Sequence, residues 1–330
     1  MPESITILGS GAMATICSML LTQGGHTVTM WGPFPEHIER LIQNREQQRL
    51  LPGARIPANV QLTANDDCAR SASVIVSAIP TQYMRKTWER LKTHIPADIP
   101  IVSVAKGIEI DTLLRPTQII ADVLSQPRTL AALSGPNIAA ELAKHLPATA
   151  VAASDDPAFA QRIQKLFSTQ WFRVYTNDDV IGVELAGALK NVIAIAAGII
   201  DGLRAGNNAK AALVTRGLVE ISRLGIAMGA RAETFQGLAG LGDLITTCVS
   251  PEGRNRTVGE RIGKGERIDE IIKSMDSVAE GVPTTRAVRE LAHRHDVEMP
   301  ITEAVYSVLF EQKDVSKALA ELMSREQKSE

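Results

Sequence analysis

Aromatic side chains are scarce: three Trp, three Tyr and six Phe make up 4% of 330 residues. So few rings supply poor stacking platforms for single-stranded nucleic acid. A basic surplus is missing as well, because 35 basic and 37 acidic residues leave a net charge of −2. A nucleic-acid partner is therefore not expected. The cysteines are only Cys17, Cys68 and Cys248, far apart and without a Cys-x-x-Cys pair. Neither a disulfide framework nor a thiolate metal site is expected from them. No Lys or Arg precedes Arg40, which leaves no basic start for a secretory signal. The longest apolar run, Val192 to Ile200, falls far short of the roughly 20 residues that span a bilayer. These absences predict a cytoplasmic protein with no membrane insertion. What remains is 45% hydrophobic and 22% charged, ordinary for a globular chain of about two domains.

The first half alternates short apolar runs with helical patterns. Strands are predicted at Ile5–Leu8, Thr27–Trp31, Val60–Leu62, Val74–Ile79, Ile101–Val104, Leu130–Leu133 and Ala148–Ala152. Helices are predicted between them, at Ala12–Gln23, Pro35–Asn44, Gln82–His94, Thr117–Leu124 and Ile138–Lys144. Such alternation implies right-handed crossovers and a mostly parallel sheet covered on both faces. After Phe172–Tyr175 the texture changes to glycine-punctuated helical segments, chiefly Val180–Ile200, Ala209–Met228, Ala287–His293 and Ile301–Phe310. A boundary falls near Thr176–Gly182, dividing an α/β domain (1–180) from an all-helical one (181–330).

Gly9-Ser10-Gly11-Ala12-Met13-Ala14 reads G-x-G-x-x-A between the first strand and the first helix. Gly9 permits the tight turn, Gly11 lets a pyrophosphate approach the backbone, and Ala14 lets helix pack on strand. The phosphates would rest on the helix N-terminus around Ala12 and Met13. An NAD-selective site expects a carboxylate at the end of the second strand. Here that place reads Trp31-Gly32-Pro33-Phe34, with neither an acid nor a nearby base, so NAD versus NADP stays open.

Several other residues could carry chemistry. Lys106 follows a strand end, where ligands bind in this architecture, although solvated lysines also occur there. Ser134-Gly135-Pro136-Asn137 forms a second turn on the same rim. Lys190 lies in a segment of almost only Ala, Gly, Val, Ile and Leu; it either snorkels or is held desolvated, where a lysine becomes a usable acid or base. Gly237 to Gly242 reads as a glycine-rich turn ending in Asp243, which an N-cap role alone would explain. Gly253-Arg254-Asn255-Arg256 opens a helix and offers either a phosphate clamp or a solvated face. His293 and His295 are two residues apart on a helix and cannot share a ligand, so no metal is expected.

Taken in order, these motifs resemble bacterial-type NAD(P)-dependent glycerol-3-phosphate dehydrogenase. The resemblance rests on Gly9-x-Gly11, Val102-x-x-Ala105-Lys106-Gly107, Ser134-Gly135-Pro136 and Gly187-Ala188-Leu189-Lys190-Asn191-Val192. It continues through Gly237–Asp243, Arg254-Asn255-Arg256, Val278-Ala279-Glu280-Gly281 and Val297 to Glu303. It implies an α/β fold: a Rossmann-like, doubly wound parallel sheet domain followed by an all-α domain, and a homodimer. It further implies interconversion of dihydroxyacetone phosphate, a small phosphorylated substrate, and sn-glycerol 3-phosphate for phospholipid synthesis, with NAD or NADP and no metal.

Carried over, Lys190 is the acid/base, with Asp243 and Lys106 beside it as catalytic groups. Gly135, Asn137, Gly253, Arg254 and Asn255 complete the substrate set. Gly9, Gly11, Ala12, Met13, Lys106, Ala139, Arg254, Val278 and Glu280 line the cofactor. The chain departs from the pattern at Met13, Pro33, Asn137 and Gly253, where the family usually carries an aromatic, a polar or basic residue, Ser or Thr, and Ser. Pro33 has no N–H to donate. Two other readings keep the motifs but change the role: a hydroxyacid or phosphosugar dehydrogenase of the same build, and a dinucleotide-sensing protein without turnover.

Overall fold

The computed structural model describes residues 1–275 and 279–326. Strand β1 (Ser4–Leu8) leads into helix α1 (Ala12–Gln23), then β2 (Thr27–Trp31) and α2 (Pro35–Asn44), all within a residue of the predicted spans. Further strands are β3 (Gln61–Thr63), β4 (Val74–Ser77), β5 (Ile101–Ser103), β6 (Leu130–Ser134), β7 (Ala148–Ala153) and β8 (Phe172–Asn177). Between them lie α3 (Thr81–Leu91), α4 (Pro116–Leu124), α5 (Ala139–Leu142) and α6 (Pro157–Phe167). Helix α6 was not anticipated, although Asp156 caps it and Pro157 starts it in the usual way.

The sheet order is β3-β2-β1-β4-β5-β6-β7-β8. The first six strands are parallel, in the doubly wound order with its switch point between β1 and β4. Strand β7 runs antiparallel to β6 and parallel to β8. The reason is local: the four residues of α5 give about 6 Å of helix, too short to return the chain along a five-residue strand of about 17 Å. Apolar side chains fill both faces of the sheet. One cluster gathers Ile16, Leu20, Val28, Met30, Ile163 and Phe167; the other gathers Leu8, Trp31, Met84, Trp88 and Ile119. Each fully buried side chain of this size contributes about 1.5–3 kcal/mol.

The chain divides into two compact units, Met1–Gly107 with Leu114–Glu184, and Ile108–Leu113 with Leu185–Glu330. The division falls inside α7 (Val180–Gly202). The second unit continues with α8 (Asn207–Ala227), α9 (Ala232–Gln236), α10 (Asp243–Val249), α11 (Arg254–Gly263), α12 (Ile268–Ser274), α13 (Gly281–Arg294), α14 (Pro300–Phe310) and α15 (Val315–Met323). Among the described residues α7 alone is long and apolar enough to cross a membrane, and its apolar window is wholly buried in the protein.

Helices α7 and α11 meet along a seam of glycines. A Cβ on Gly198 would lie 2.0 Å from the Arg256 carbonyl oxygen, and one on Gly259 would lie 1.9 Å from that of Ile195. Gly202 and Gly263 repeat the pattern a turn further on, at 2.4 Å from Glu260 O and 2.6 Å from Ile199 O. The two backbones therefore touch directly, and the seam fixes α11 against the helix that carries Lys190.

Candidate active site

In the first unit the dinucleotide loop is shaped by close backbone approach. Gly9 has φ +128, and a Cβ there would strike the Ala78 carbonyl oxygen at 2.6 Å. Gly11 is the N-cap of α1, and no side chain caps that end. A Cβ on Gly11 would meet only Leu50 Cδ1, at 3.7 Å. The N–H groups of Ala12 and Met13 thus head a helix whose end is open to an anion, and the residues fit a dinucleotide pyrophosphate. Gln47, buried and distant in sequence, donates from Nε2 to the Ser10 carbonyl and pins the loop. Sequence reading missed Gln47, since nothing local marks it.

Lys106, just past β5, donates from Nζ to the Gly135 carbonyl oxygen at 2.8 Å. Gly135 has φ +145 and lies against β7, where a Cβ would sit 2.9 Å from Thr149 O. The Asn137 amide nitrogen donates to Thr149 O and Pro136 O, both at 3.1 Å, which leaves the amide oxygen as the outward acceptor. Lys106, Gly135 and Asn137 are thereby gathered on the carboxyl rim of the sheet, with Ala139 opening α5 directly after them. Ser134 Oγ is buried beneath this turn without a partner among the described residues.

In the second unit Lys190 is buried rather than snorkelling, at 5% exposure. Its Nζ lies 2.8 Å from Asp243 Oδ1 and also donates to Thr247 Oγ1. Asp243 is 2% exposed. The N-cap role considered for Asp243 does not hold. Leu238–Gly242 is a π-helical turn that runs on into α10, so Gly242 is already helical and no side chain caps the helix. Asp243 is freed to face Lys190, and a wide π turn is a common device at functional positions. Thr247 stands one turn on, and its Oγ1 donates to the Asp243 carbonyl at 2.7 Å. The i, i+4 spacing of Asp243 and Thr247 was the available signal for it. The neighbouring Cys248 thiol is pushed up to about 12 by burial, so it stays protonated and inert.

Helix α11 begins at Arg254, with Gly253 as an N-cap that has no side chain to offer. Asn255 is buried, and its Oδ1 accepts from the Gly281 N–H at 2.9 Å. A Cβ on Gly281 would lie 2.8 Å from both Asn255 Oδ1 and the Asn191 carbonyl oxygen. The neighbour of Lys190, the start of α11 and the Glu280–Gly281 start of α13 thus meet at one point. The two arginines of the motif separate in role. Arg256 is bound to Asp201 at 2.6–2.7 Å, a carboxylate that also takes Lys210 at 2.8 Å. Arg254 is exposed at the helix N-terminus. Val278 lies outside the described residues. No group of three or more metal-ligating side chains occurs among those described; His293 Nε2 faces Glu303 at 2.9 Å instead.

Comparison with known proteins finds relatives along nearly the whole chain. Residues 4–160 match the family described as NAD-dependent glycerol-3-phosphate dehydrogenase N-terminus, and residues 179–320 match the corresponding C-terminus. A glycerol-3-phosphate dehydrogenase [NAD(P)+] of Citrifermentans bemidjiense is 46% identical, over 100% of this chain and 99% of the relative. One of Chlorobium phaeobacteroides is 47% identical, over 99% and 98%. Among solved structures, the glycerol-3-phosphate dehydrogenase of Coxiella burnetii is 36% identical, with a TM-score of 0.94 over 98% of this chain and 99% of that one.

Proposed function

The chain belongs to the NAD-dependent glycerol-3-phosphate dehydrogenase family, and from that premise we propose how it works. It is an NAD(P)-dependent glycerol-3-phosphate dehydrogenase, interconverting dihydroxyacetone phosphate and sn-glycerol 3-phosphate for glycerophospholipid synthesis. Residues 1–180 bind the nucleotide; residues 181–330 bind substrate and pair two copies into a homodimer in the cytoplasm.

The nucleotide, when bound, supplies the hydride that reaches C2 of the ketone. Gly9, Gly11, Ala12 and Met13 hold its pyrophosphate through backbone N–H groups. Lys190 gives a proton to the C2 oxygen during reduction and takes it back from the hydroxyl during oxidation. Asp243 balances the buried ammonium, and Thr247 fixes its direction. Arg254 and the open N-terminus of α11, starting at Gly253, hold the phosphate dianion, with Asn255 oriented by Gly281. Lys106, Gly135 and Asn137 orient the rest of the substrate, and Ala139, Val278 and Glu280 complete the nucleotide's surroundings.

The observation that supports this reading is the lysine buried in an apolar helix against its own carboxylate and hydroxyl. A purely structural ion pair would, on removal, lower stability without lowering the turnover of the folded protein. Lys190→Ala is expected to lower dihydroxyacetone phosphate reduction by about 10²–10⁴-fold, the usual range for a lost acid/base, with NADH binding unchanged. Undiminished turnover in that variant would refute the mechanism.

A further inference from the structure

The end of β2 carries neither of the groups by which such sites usually distinguish the two nicotinamide dinucleotides. Its last residue is Trp31, and Gly32 and Pro33 follow. Gly32 touches the phosphate loop, since a Cβ there would lie 2.6 Å from Ser10 Oγ. Whatever lies beside Pro33 is therefore one residue from the loop that holds the pyrophosphate. The adenosine ribose of a bound dinucleotide is read at this place.

The fold delivers a cation there from another element. Arg90, on α3, donates from Nη1 to the Pro33 carbonyl oxygen at 3.2 Å. Its guanidinium lies 5.4 Å from the centroid of the Trp31 ring. Its Nε and Nη2 bond Asp66 at 2.8 and 2.9 Å, and the Trp31 indole N–H bonds the same carboxylate at 3.2 Å. Asp66 is thus occupied on both oxygens and acts as a brace. Arg90 is the more open partner, its side chain 43% exposed against 23% for Asp66. Of its five N–H groups three are engaged, leaving one on each terminal nitrogen. A planar, braced guanidinium with two spare donors suits a phosphate monoester; a ribose hydroxyl gains little from it.

We propose that Arg90, reaching from α3 to the end of β2, receives the 2′-phosphate of NADP(H) and sets the nucleotide preference of this enzyme. It takes the place that Pro33, without an N–H or a polar side chain, cannot fill. The inference rests on the dehydrogenase reading above and assigns the half of its specificity that the strand end itself leaves blank.

Equilibrium titration by nicotinamide fluorescence tests it, with NADPH and NADH on the wild-type protein and on Arg90→Ala, and 2′,5′-ADP as competitor. The expected result is NADPH bound more tightly than NADH by the wild type. Arg90→Ala should raise the NADPH Kd by about tenfold or more, as expected for lost hydrogen bonds to a charged group, and weaken 2′,5′-ADP in parallel. The NADH Kd should stay within about twofold. Because Arg90 is half exposed, an unchanged melting temperature serves as the folding control. Equal changes for both nucleotides, or none, overturn the assignment of Arg90. Wild-type protein that binds neither nucleotide overturns the dehydrogenase reading itself.

Discussion

Substituting Gly259 by Ala tests the seam on which the second unit's site depends. The added Cβ would lie 1.9 Å from Ile195 O, 2.8 Å from Ile195 C and 2.9 Å from Ile199 N. All three are backbone atoms of α7, so no side-chain rotation relieves the overlap. Restoring an ordinary contact of about 3.4 Å means parting the helices by about 1.5 Å. Overpacking of this kind costs about 3 kcal/mol at the upper end of its usual range. Alanine's higher helix propensity returns about 1 kcal/mol, for a net loss of about 2 kcal/mol. For a unit of this size that corresponds to a fall of about 4–8 °C in Tm.

The functional consequence is separable. Helix α11 carries Arg254 and Asn255, whereas α7 carries Lys190, so a shifted seam displaces the proposed phosphate clamp from the proposed acid/base. The KM for dihydroxyacetone phosphate should rise severalfold, with the NADH Kd unchanged because the dinucleotide loop lies in the other unit. Gly237→Ala is the control, since its Cβ would meet nothing nearer than 3.5 Å. Scanning calorimetry with steady-state kinetics decides the matter. A Gly259→Ala protein that melts with the wild type and keeps its KM would refute the reasoning.

Two further outcomes follow from buried carboxylates. Glu184 is held by Arg115 and by the Thr117 N–H and hydroxyl, so Arg115→Ala should cost about 3–5 kcal/mol in urea unfolding by stranding a buried charge. Burial pushes the Glu220 carboxyl above its ordinary range, against three hydrogen bonds at 2.8 Å from Ile301 and Thr302. A raised folded-state value gives stability that is full below the unfolded value near pH 4.5 and lost as pH rises through the folded one. The destabilisation caused by Glu220→Gln should therefore be larger at pH 5 than at pH 8 in paired urea melts, and a penalty that grew with pH would contradict the sign.

What the sequence disclosed tracks how local each determinant is. Helix α1 was bounded to the residue because Gly11 and Gly24 mark its ends within the chain's own neighbourhood. Lys190 stood out because nearly everything around it is small and apolar. For Asp243 an N-cap role stayed open beside the catalytic one because Gly237–Gly242 looks like a turn, and a π-helical turn has no separate signature in composition. The N-termini of α4 and α14 begin with Pro116 and Pro300, as a sequence reader would expect. Beside a local contact from Gln118 to the Arg115 N–H at α4, both ends are also capped by Glu184 and Glu220, 67 and 81 residues or more away, which no local pattern specifies. Arg90 belongs with these, 57 residues from the carbonyl it meets.

Paired charges are likewise invisible in the near-zero net charge. A charge taken out of water must be paired, so most cations brought to these sites arrive with a partner: Lys190 with Asp243, Arg90 with Asp66, Arg115 with Glu184. Each pair adds nothing to the sum, however strongly it polarises its surroundings. Asp201 serves both Lys210 and Arg256, and Arg256 also meets Glu260 at 3.3 Å, so two carboxylates stand against these two cations. The proposed phosphate clamp therefore relies on Arg254 and the end of a helix, although the chain as a whole is slightly acidic. Near-neutrality of the whole chain therefore leaves room for the proposed phosphate site, because such a site needs no more than a local cation and a helix end.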